Sequence, residues 1–234
     1  MDFQGGEVLA FNKPYEWTSF GIVGKVRWLL SQKLGVKKLK VGHAGTLDPL
    51  ATGVMILCTG KATKRIDEYQ AHTKEYIADL RLGATTPSFD LEHPVDATYP
   101  IDHLTQELIA ETLHKFIGEI SQVPPIYSAC KVNGKRAYHL ARQGLEVELK
   151  AKTLVIDEIE LLECHIPDIK IRVVCSKGTY IRALARDLGE ALHCGAHLTN
   201  LCRTRVGEIR LENCLTLEDF PTWLEAQTIE TATI

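Results

Sequence analysis

Hydrophobic residues at helical spacing predict five helices along the chain. In the clearest case, apolar residues recur between positions 23 and 34, after a capping residue at Thr18 or Ser19 and before the stop residue Gly35. Weaker patterns of the same kind predict helices at 62–70, 105–116, 180–192 and 217–224.

Shorter segments alternate between apolar and polar residues, as strands with one dry face do. In 75–82 the drier face holds Tyr76, Ala78, Leu80 and Leu82. Further strands are predicted at 7–11, 54–57, 154–162, 169–175, 197–201 and 206–211. Alternating strands with short connections favour antiparallel pairing. We therefore expect an α+β fold, a mixed and mostly antiparallel central sheet flanked by helices, in a single domain covering 1–234.

Length and composition are those of an ordinary globular protein. The 234 residues are 45% hydrophobic and 24% charged, and no apolar run approaches the roughly 18–20 residues of a membrane span. The first residues lack the pattern of a secretory signal. The seven cysteines are scattered, without a CxxC pair, so neither a disulfide framework nor a zinc knuckle is indicated. We expect a cytoplasmic protein without membrane contact.

Charge is distributed unevenly along the chain. The net charge is −3, yet residues 1–65 hold ten bases against four acids, whereas residues 208–234 hold six acids against one base. Such asymmetry lets a mildly acidic protein present a face that binds a polyanion. A solvated charged surface explains the same pattern equally well.

One carboxylate stands among bases in the segment 40–65. Asp48 precedes Pro49 and lies on the loop that enters the buried strand predicted at 54–57, with Lys40 before it and Lys61 and Lys64 after it. Loops held by buried strands often carry catalytic groups. Residue types alone favour a plain turn, because Asp and Pro are both turn formers.

A second unusual segment spans 127–143. An Asn133-Gly134 turn signal separates bases on either side, and aromatic residues are interleaved with them. Bases interleaved with aromatic residues suit single-stranded RNA. A charged surface hairpin is an equal alternative.

Three further positions bear on the chemistry of the protein. Arg182 lies off the apolar stripe of its helix, in the first turn, where the helix dipole disfavours a cation and predicts a carboxylate partner. The histidines at 193 and 197 have metal-ligand spacing, but Gly195 between them indicates a helix end, so we expect no metal. Ala62 follows Lys61 where a phosphate-binding loop needs Ser or Thr.

Several separated blocks resemble the TruB-type tRNA pseudouridine-55 synthases. Residues 42–53, GHAGTLDPLATG, are similar to that family's catalytic motif at nearly every position. Later blocks of the same kind are KEY at 74–76, LG at 82–83, SKGTYIR at 176–182, GAHL at 195–198 and LCR at 201–203. The chain departs from the family at Glu16, where Gly is more frequent, at Ala44, often Thr, and at Cys202, often Arg.

The resemblance implies a pseudouridine synthase catalytic fold with an RNA-gripping insert at about 124–150. We expect no C-terminal PUA domain, which many relatives carry, because the chain ends soon after Leu224. It implies that uridine 55 in the T-loop of tRNA is isomerised to pseudouridine without metal or cofactor. We expect the protein to be a monomer. Asp48 would attack the nucleotide or remove a ribose proton. Arg182 would pair with Asp48, and Tyr76 would stack on the uracil and help to remove its C5 proton.

The same resemblance implies a set of RNA-binding residues. Tyr180 and Leu201 would form walls of the uracil pocket, and His43 would fill the gap left by the flipped base. The expected phosphate contacts are Lys13, Lys64, Lys131, Arg136 and Arg142. An RNA-binding or tRNA-folding chaperone with secondary catalysis remains the alternative.

Overall fold

The computed structural model describes residues 1–128, 130–132, 135–137 and 149–230. They form two compact units. Unit 1 comprises Met1–Glu75 and the described residues from Cys202 onward, and unit 2 comprises Tyr76–Leu201. The single domain predicted over 1–234 stays a prediction.

Unit 1 is built around one strand that is buried along almost its whole length. This strand, β3 (Ala51–Thr59), pairs antiparallel with β1 (Val8–Lys13) and also with β2 (Val41–Ala44). A short 3₁₀ helix, Gly60–Arg65, leads into α2 (Ile66–Ala71). Burial on both faces accounts for the apolar sequence of β3.

Helix α1 (Ser19–Leu34) covers the core of unit 1. The Thr18 hydroxyl accepts the Gly21 N–H at 2.9 Å, and Gly35 ends the helix in the left-handed conformation with φ 63°. Both signals were predicted, and the helix is confirmed. Its buried side packs against a core cluster that includes Phe3, Phe11, Met55, Leu57 and Phe220.

Unit 2 contains the long strands. The central hairpin pairs β10 (Lys152–His165) with β11 (Asp168–Cys175), and β10 also pairs with β7 (Gly118–Gln122), both antiparallel. Strand β4 (Lys74–Leu82) neighbours β11 and buries alternate residues from Tyr76 to Leu82, as its pattern predicted. In the described part of the unit, two helices lie beside these strands, α3 (Gln106–His114) and α4 (Ile181–Ala191).

The remaining elements are short, apart from one strand. Strand β12 (Ala196–Val206) is followed by β13 (Ile209–Arg210), a 3₁₀ turn at Leu211–Asn213 and helix α5 (Phe220–Glu225). Two-residue strands form two further pairs, β5 (Ala84–Thr85) with β6 (Ala97–Thr98) and β8 (Lys131–Val132) with β9 (Lys135–Arg136). The predicted Asn133-Gly134 turn lies outside the described residues.

Three predicted elements need correction. Residues 62–70 form a 3₁₀ helix and a short α-helix, because Gly60 has φ 49° and the Thr63 hydroxyl donates to its carbonyl. A single strand replaces the two predicted at 197–201 and 206–211, and it ends where Gly207 turns with φ 56°. Strands Val41–Ala44 and Gly118–Gln122 were missed, since neither alternates clearly.

The fold class is confirmed as α+β, with a mostly antiparallel central sheet and helices. Among the described residues, no helix combines the length and apolar character needed to cross a bilayer.

Candidate active site

Asp48 lies on the loop between β2 and β3 and is partly exposed beside buried Leu47. Its carbonyl accepts the Ala51 N–H at 3.1 Å, so Asp48-Pro49 forms a turn, as the residue types predicted. Ser19 holds the preceding residue in place. Its hydroxyl accepts the Leu47 N–H and donates to the Leu47 carbonyl, both at 2.9 Å. The turn is thereby attached to the first residue of α1.

Lys13 supports the same turn from inside the protein. Its side chain is fully buried, and its Nζ donates to the carbonyls of Pro14 (2.9 Å), Trp17 (2.5 Å) and Pro49 (3.1 Å). Three acceptors use all three protons of the ammonium group. Burial lowers the pKa of Lys13 from 10.5 to about 8, although the nearby Asp48 carboxylate opposes this shift.

The predicted phosphate contact from Lys13 is therefore wrong. A side chain without exposed surface, whose donors are all used by backbone carbonyls, is not available to RNA. Burial at the end of β1 is the reason, since the carbonyls of the Asp48 turn surround the ammonium group.

Arg203 is a second buried cation at this loop, and the sequence reasoning did not assign it a role. It is 1% exposed, its Nε donates to the Val54 carbonyl at 2.7 Å, and a terminal nitrogen donates to the Gly45 carbonyl at 3.1 Å. These contacts hold the chain on both sides of Asp48. A Cβ at Gly53 would approach the Arg203 carbonyl to 2.2 Å, so the close packing requires glycine there. The sequence signal that could have identified Arg203 is the LCR block at 201–203, in which it is the last residue.

Glu16 explains one departure from the family pattern. Its φ of 64° lies in the left-handed region, which glycine adopts without strain, and its N–H donates to the Pro49 carbonyl at 2.9 Å. Glu16 thus takes the conformation that glycine favours and adds another hydrogen bond to the Asp48 turn.

Two predicted RNA-binding residues of unit 1 lie at its surface. His43 is in β2 opposite Leu57, half-buried, with its ring edge-on to Phe20 at a centroid distance of 5.5 Å. Lys64 is exposed in the 3₁₀ helix Gly60–Arg65.

Arg182 lies in the first turn of α4 in unit 2. It is 3% exposed rather than off the core, and it donates to the carbonyls of Ser88 (3.1 Å) and Tyr127 (2.9 Å). Its Nε lies 3.7 Å from the Asp90 carboxylate, so the predicted need for a carboxylate partner is confirmed. Asp90 was not anticipated. The pairing of Arg182 with Asp48 stays a prediction.

Three more predicted site residues lie in or border unit 2. Tyr76 and Leu201 are held by strands, and Tyr180 is held by the buried side-chain amide of Gln122. Tyr76 is 8% exposed on the dry face of β4, and Leu201 is half-buried in β12. The N–H of half-buried Tyr180 donates to the Gln122 side-chain oxygen at 2.9 Å, and the Gln122 amide donates to the Tyr180 carbonyl at 3.2 Å. Gln122 was missed together with its strand.

The insert is described only in part. Lys131 and Arg136 are opposite each other in the paired strands, while Arg142 lies outside the described residues. In the described part of the chain, no three His, Cys, Asp or Glu side chains come together as a metal site.

Comparison with family models defines the class of protein. The model for the N-terminal domain of TruB family pseudouridylate synthases matches residues 31–181, and that for the tRNA pseudouridylate synthase B C-terminal domain matches residues 182–233. The chain belongs to the TruB family of pseudouridylate synthases.

Similar proteins agree with this assignment. The tRNA pseudouridine synthase B of Phocaeicola vulgatus is 72% identical over 98% of both chains, and that of Flavobacterium johnsoniae is 49% identical over 94% of this chain and 96% of its own. Among solved structures, a Cbf5-Nop10-Gar1 complex matches with a TM-score of 0.70 and 30% identity over 96% of this chain. An H/ACA RNP bound to a substrate RNA containing 2'-deoxyuridine matches with a TM-score of 0.67 and 29% identity over 95%. The chain spans 56% and 54% of those two chains.

Proposed function

We propose that this protein isomerises uridine 55 in the T-loop of tRNA to pseudouridine, with Asp48 as the catalytic residue and without a metal or cofactor. The observation that carries the proposal is the turn at Asp48, which Ser19 and two buried cations, Lys13 and Arg203, hold in place. The names of relatives up to 72% identical support pseudouridine formation in tRNA.

The reaction breaks the bond between uracil N1 and ribose C1′, rotates the base and joins C5 to C1′. The C5 proton then leaves to solvent, and N1 takes up a proton, so that the product is an isomer of the substrate. A fixed carboxylate serves this sequence either by attacking the nucleotide or by removing a ribose proton. Both routes need a carboxylate that does not move when the substrate arrives. The hydrogen bonds to Leu47 and Pro49 on either side of Asp48 meet that need.

Two residues complete the proposed chemistry. Arg182 is held by a carboxylate and two carbonyls, so its guanidinium has a fixed orientation from which to pair with Asp48. Tyr76, on the rigid dry face of β4, stacks on the uracil and assists removal of the C5 proton. A uridine within a folded RNA loop must first be flipped out of its stack.

The substrate is a tRNA, bound by a monomer in the cytoplasm. Tyr180 and Leu201 flank the flipped base, and His43 fills the position that the base leaves. Phosphate contacts come from Lys64, Lys131, Arg136 and Arg142. Since these are charge contacts, affinity falls as the salt concentration rises.

Tritium release from tRNA labelled at uridine C5 tests the function, because forming the new C–C bond frees that hydrogen. We expect release by the wild type, none by Asp48→Asn, and wild-type release by the control Asp67→Asn, which changes an exposed acid. Binding of tRNA without release by the wild type would favour the chaperone alternative. Full release by Asp48→Asn would remove Asp48 from the mechanism.

A further inference from the structure

The outer face of α1 and the segment after it form a strongly positive surface. Residues 17–47 include six bases and no acid. The bases, all exposed, are Lys25, Arg27, Lys33, Lys37, Lys38 and Lys40. Lys33 pairs with Glu225 of the same unit at 2.5 Å. A run of like charge without acids raises the local concentration of a polyanion.

An open groove of about 530 Å³ lies on this face. Trp28 lines it and is 56% exposed, with Arg27 and Lys37 also at its wall. The Lys25 ammonium lies over the Trp28 ring at 5.2 Å from its centroid. The groove thus combines a broad aromatic surface with several cations, whereas a solvated charged face needs no aromatic ring.

Gly24 lines the groove. It lies in the interior of α1, four residues before Trp28 and on the same side of the helix. A Cβ at this position would have nothing within 4 Å, so protein packing does not require a glycine there. Glycine in a helix interior costs stability. The exposed position of Gly24 beside Trp28 therefore allows substitutions that change the charge of the groove without disturbing the core.

The face of α1 that lines the groove extends towards His43. Phe20 lies one helical turn before Gly24 on the same face, is 62% exposed, and touches the ring of His43. A strand bound near His43 can therefore follow α1 past Phe20 towards Trp28.

We infer that this surface, defined by Phe20, Gly24, Arg27, Trp28 and Lys37, is a second RNA-contact site. Phosphates lie against the cations and a base or ribose packs on Trp28, since aromatic rings stacked on bases and bordered by cations are how proteins hold RNA without reading its sequence. The inference rests on the proposed function only in taking tRNA as the RNA.

Three substitutions at Gly24 provide the test, because the position tolerates side chains. We expect Gly24→Glu to weaken binding of an unmodified tRNA transcript about fivefold at low salt, by placing an acid among the cations. Gly24→Ala and Gly24→Lys bind at least as well as the wild type. All three retain the wild-type thermal stability or exceed it, which separates binding from folding.

Trp28→Ala and Lys37→Gln extend the test. We expect Trp28→Ala to raise the Kd about tenfold. Lys37→Gln lowers the slope of log affinity against log salt by about 0.7–0.9, the value for one lost phosphate contact. In both variants we expect the KM for tRNA to rise with the Kd.

Wild-type affinity for tRNA in both Gly24→Glu and Trp28→Ala would overturn the inference. Asp48→Asn, measured in the same binding assay, separates the inference from the proposed function, because it removes the proposed catalytic group and leaves every residue of this surface in place. A wild type that binds tRNA but forms no pseudouridine would overturn the function and leave the surface standing, provided that the Gly24→Glu effect on affinity is present.

Discussion

Raising the pH through about 8 is expected to impair the Asp48 turn by deprotonating Lys13. The pKa of Lys13 is lowered to about 8 because the ammonium group is buried. A neutral amine has two protons for three carbonyl acceptors, so one of the contacts to Pro14, Trp17 and Pro49 is lost together with the charge beside Asp48. At pH 9 about ten molecules are neutral for each charged one, so we expect a rate about tenfold lower than at pH 7.

The assay is the single-turnover rate of pseudouridine formation between pH 6.5 and 9.5. Lys13→Met is the matched control, since it keeps an unbranched chain but has no charge. Titration of the uracil or of tyrosines affects both proteins equally. The ratio of the wild-type rate to the Lys13→Met rate is expected to be nearly constant below pH 7 and to fall about tenfold between pH 7 and pH 9.

The free energy of unfolding is expected to rise with pH over the same range in which the reaction rate falls. The folded pKa of Lys13 is about 8 and the unfolded value is 10.5. Between these values the unfolded chain binds more protons, so the free energy of unfolding rises with pH, by about 3 kcal/mol in total. A rate ratio that stays constant to pH 9.5 would refute the role of the Lys13 ammonium. A stability difference from Lys13→Met that falls across this window would refute its burial as a charge.

Two further substitutions test contacts that the structure adds. Asp90→Asn removes the carboxylate that lies 3.7 Å from the buried Arg182 Nε and keeps the other contacts of the guanidinium, so we expect the free energy of unfolding in a denaturant titration to fall by about 1–3 kcal/mol. The control Asp96→Asn, which changes an exposed acid, is expected to leave the free energy of unfolding nearly unchanged. Equal denaturation midpoints for the two variants would contradict a stabilising contact between Asp90 and Arg182. Arg203→Lys replaces a fork by a single ammonium, which cannot reach both of its carbonyl acceptors. We expect kcat to fall about tenfold with KM unchanged, whereas an increase in KM alone would assign Arg203 to RNA binding.

The sequence predicted those secondary-structure elements that are determined by residues close together in the chain. The capping residue Thr18 and the stop residue Gly35 delimit α1 because both act within one helical turn. The alternation from Tyr76 to Leu82 identifies β4 and its dry face, since strand burial follows a period of two. The Asp48 turn was predicted for the same reason.

Contacts between distant residues could not be predicted in this way. Lys13 precedes a proline at a strand end and resembles a surface lysine, and its burial depends on the Pro49 carbonyl, 36 positions away. Arg203 reaches Val54 across 149 positions. The carboxylate of Asp90 meets Arg182 only after the chain folds. These side chains support the candidate catalytic residues, and their roles depend on tertiary packing.

The central claim is that this chain converts uridine 55 of tRNA by means of Asp48. The most direct measurement is to map pseudouridine in an unmodified tRNA transcript after reaction, alongside a transcript with cytidine at position 55. The account predicts pseudouridine at position 55 with the wild type, and none in the substituted transcript or with Asp48→Asn. Pseudouridine at another position with uridine 55 unchanged, or wild-type conversion by Asp48→Asn, would contradict it.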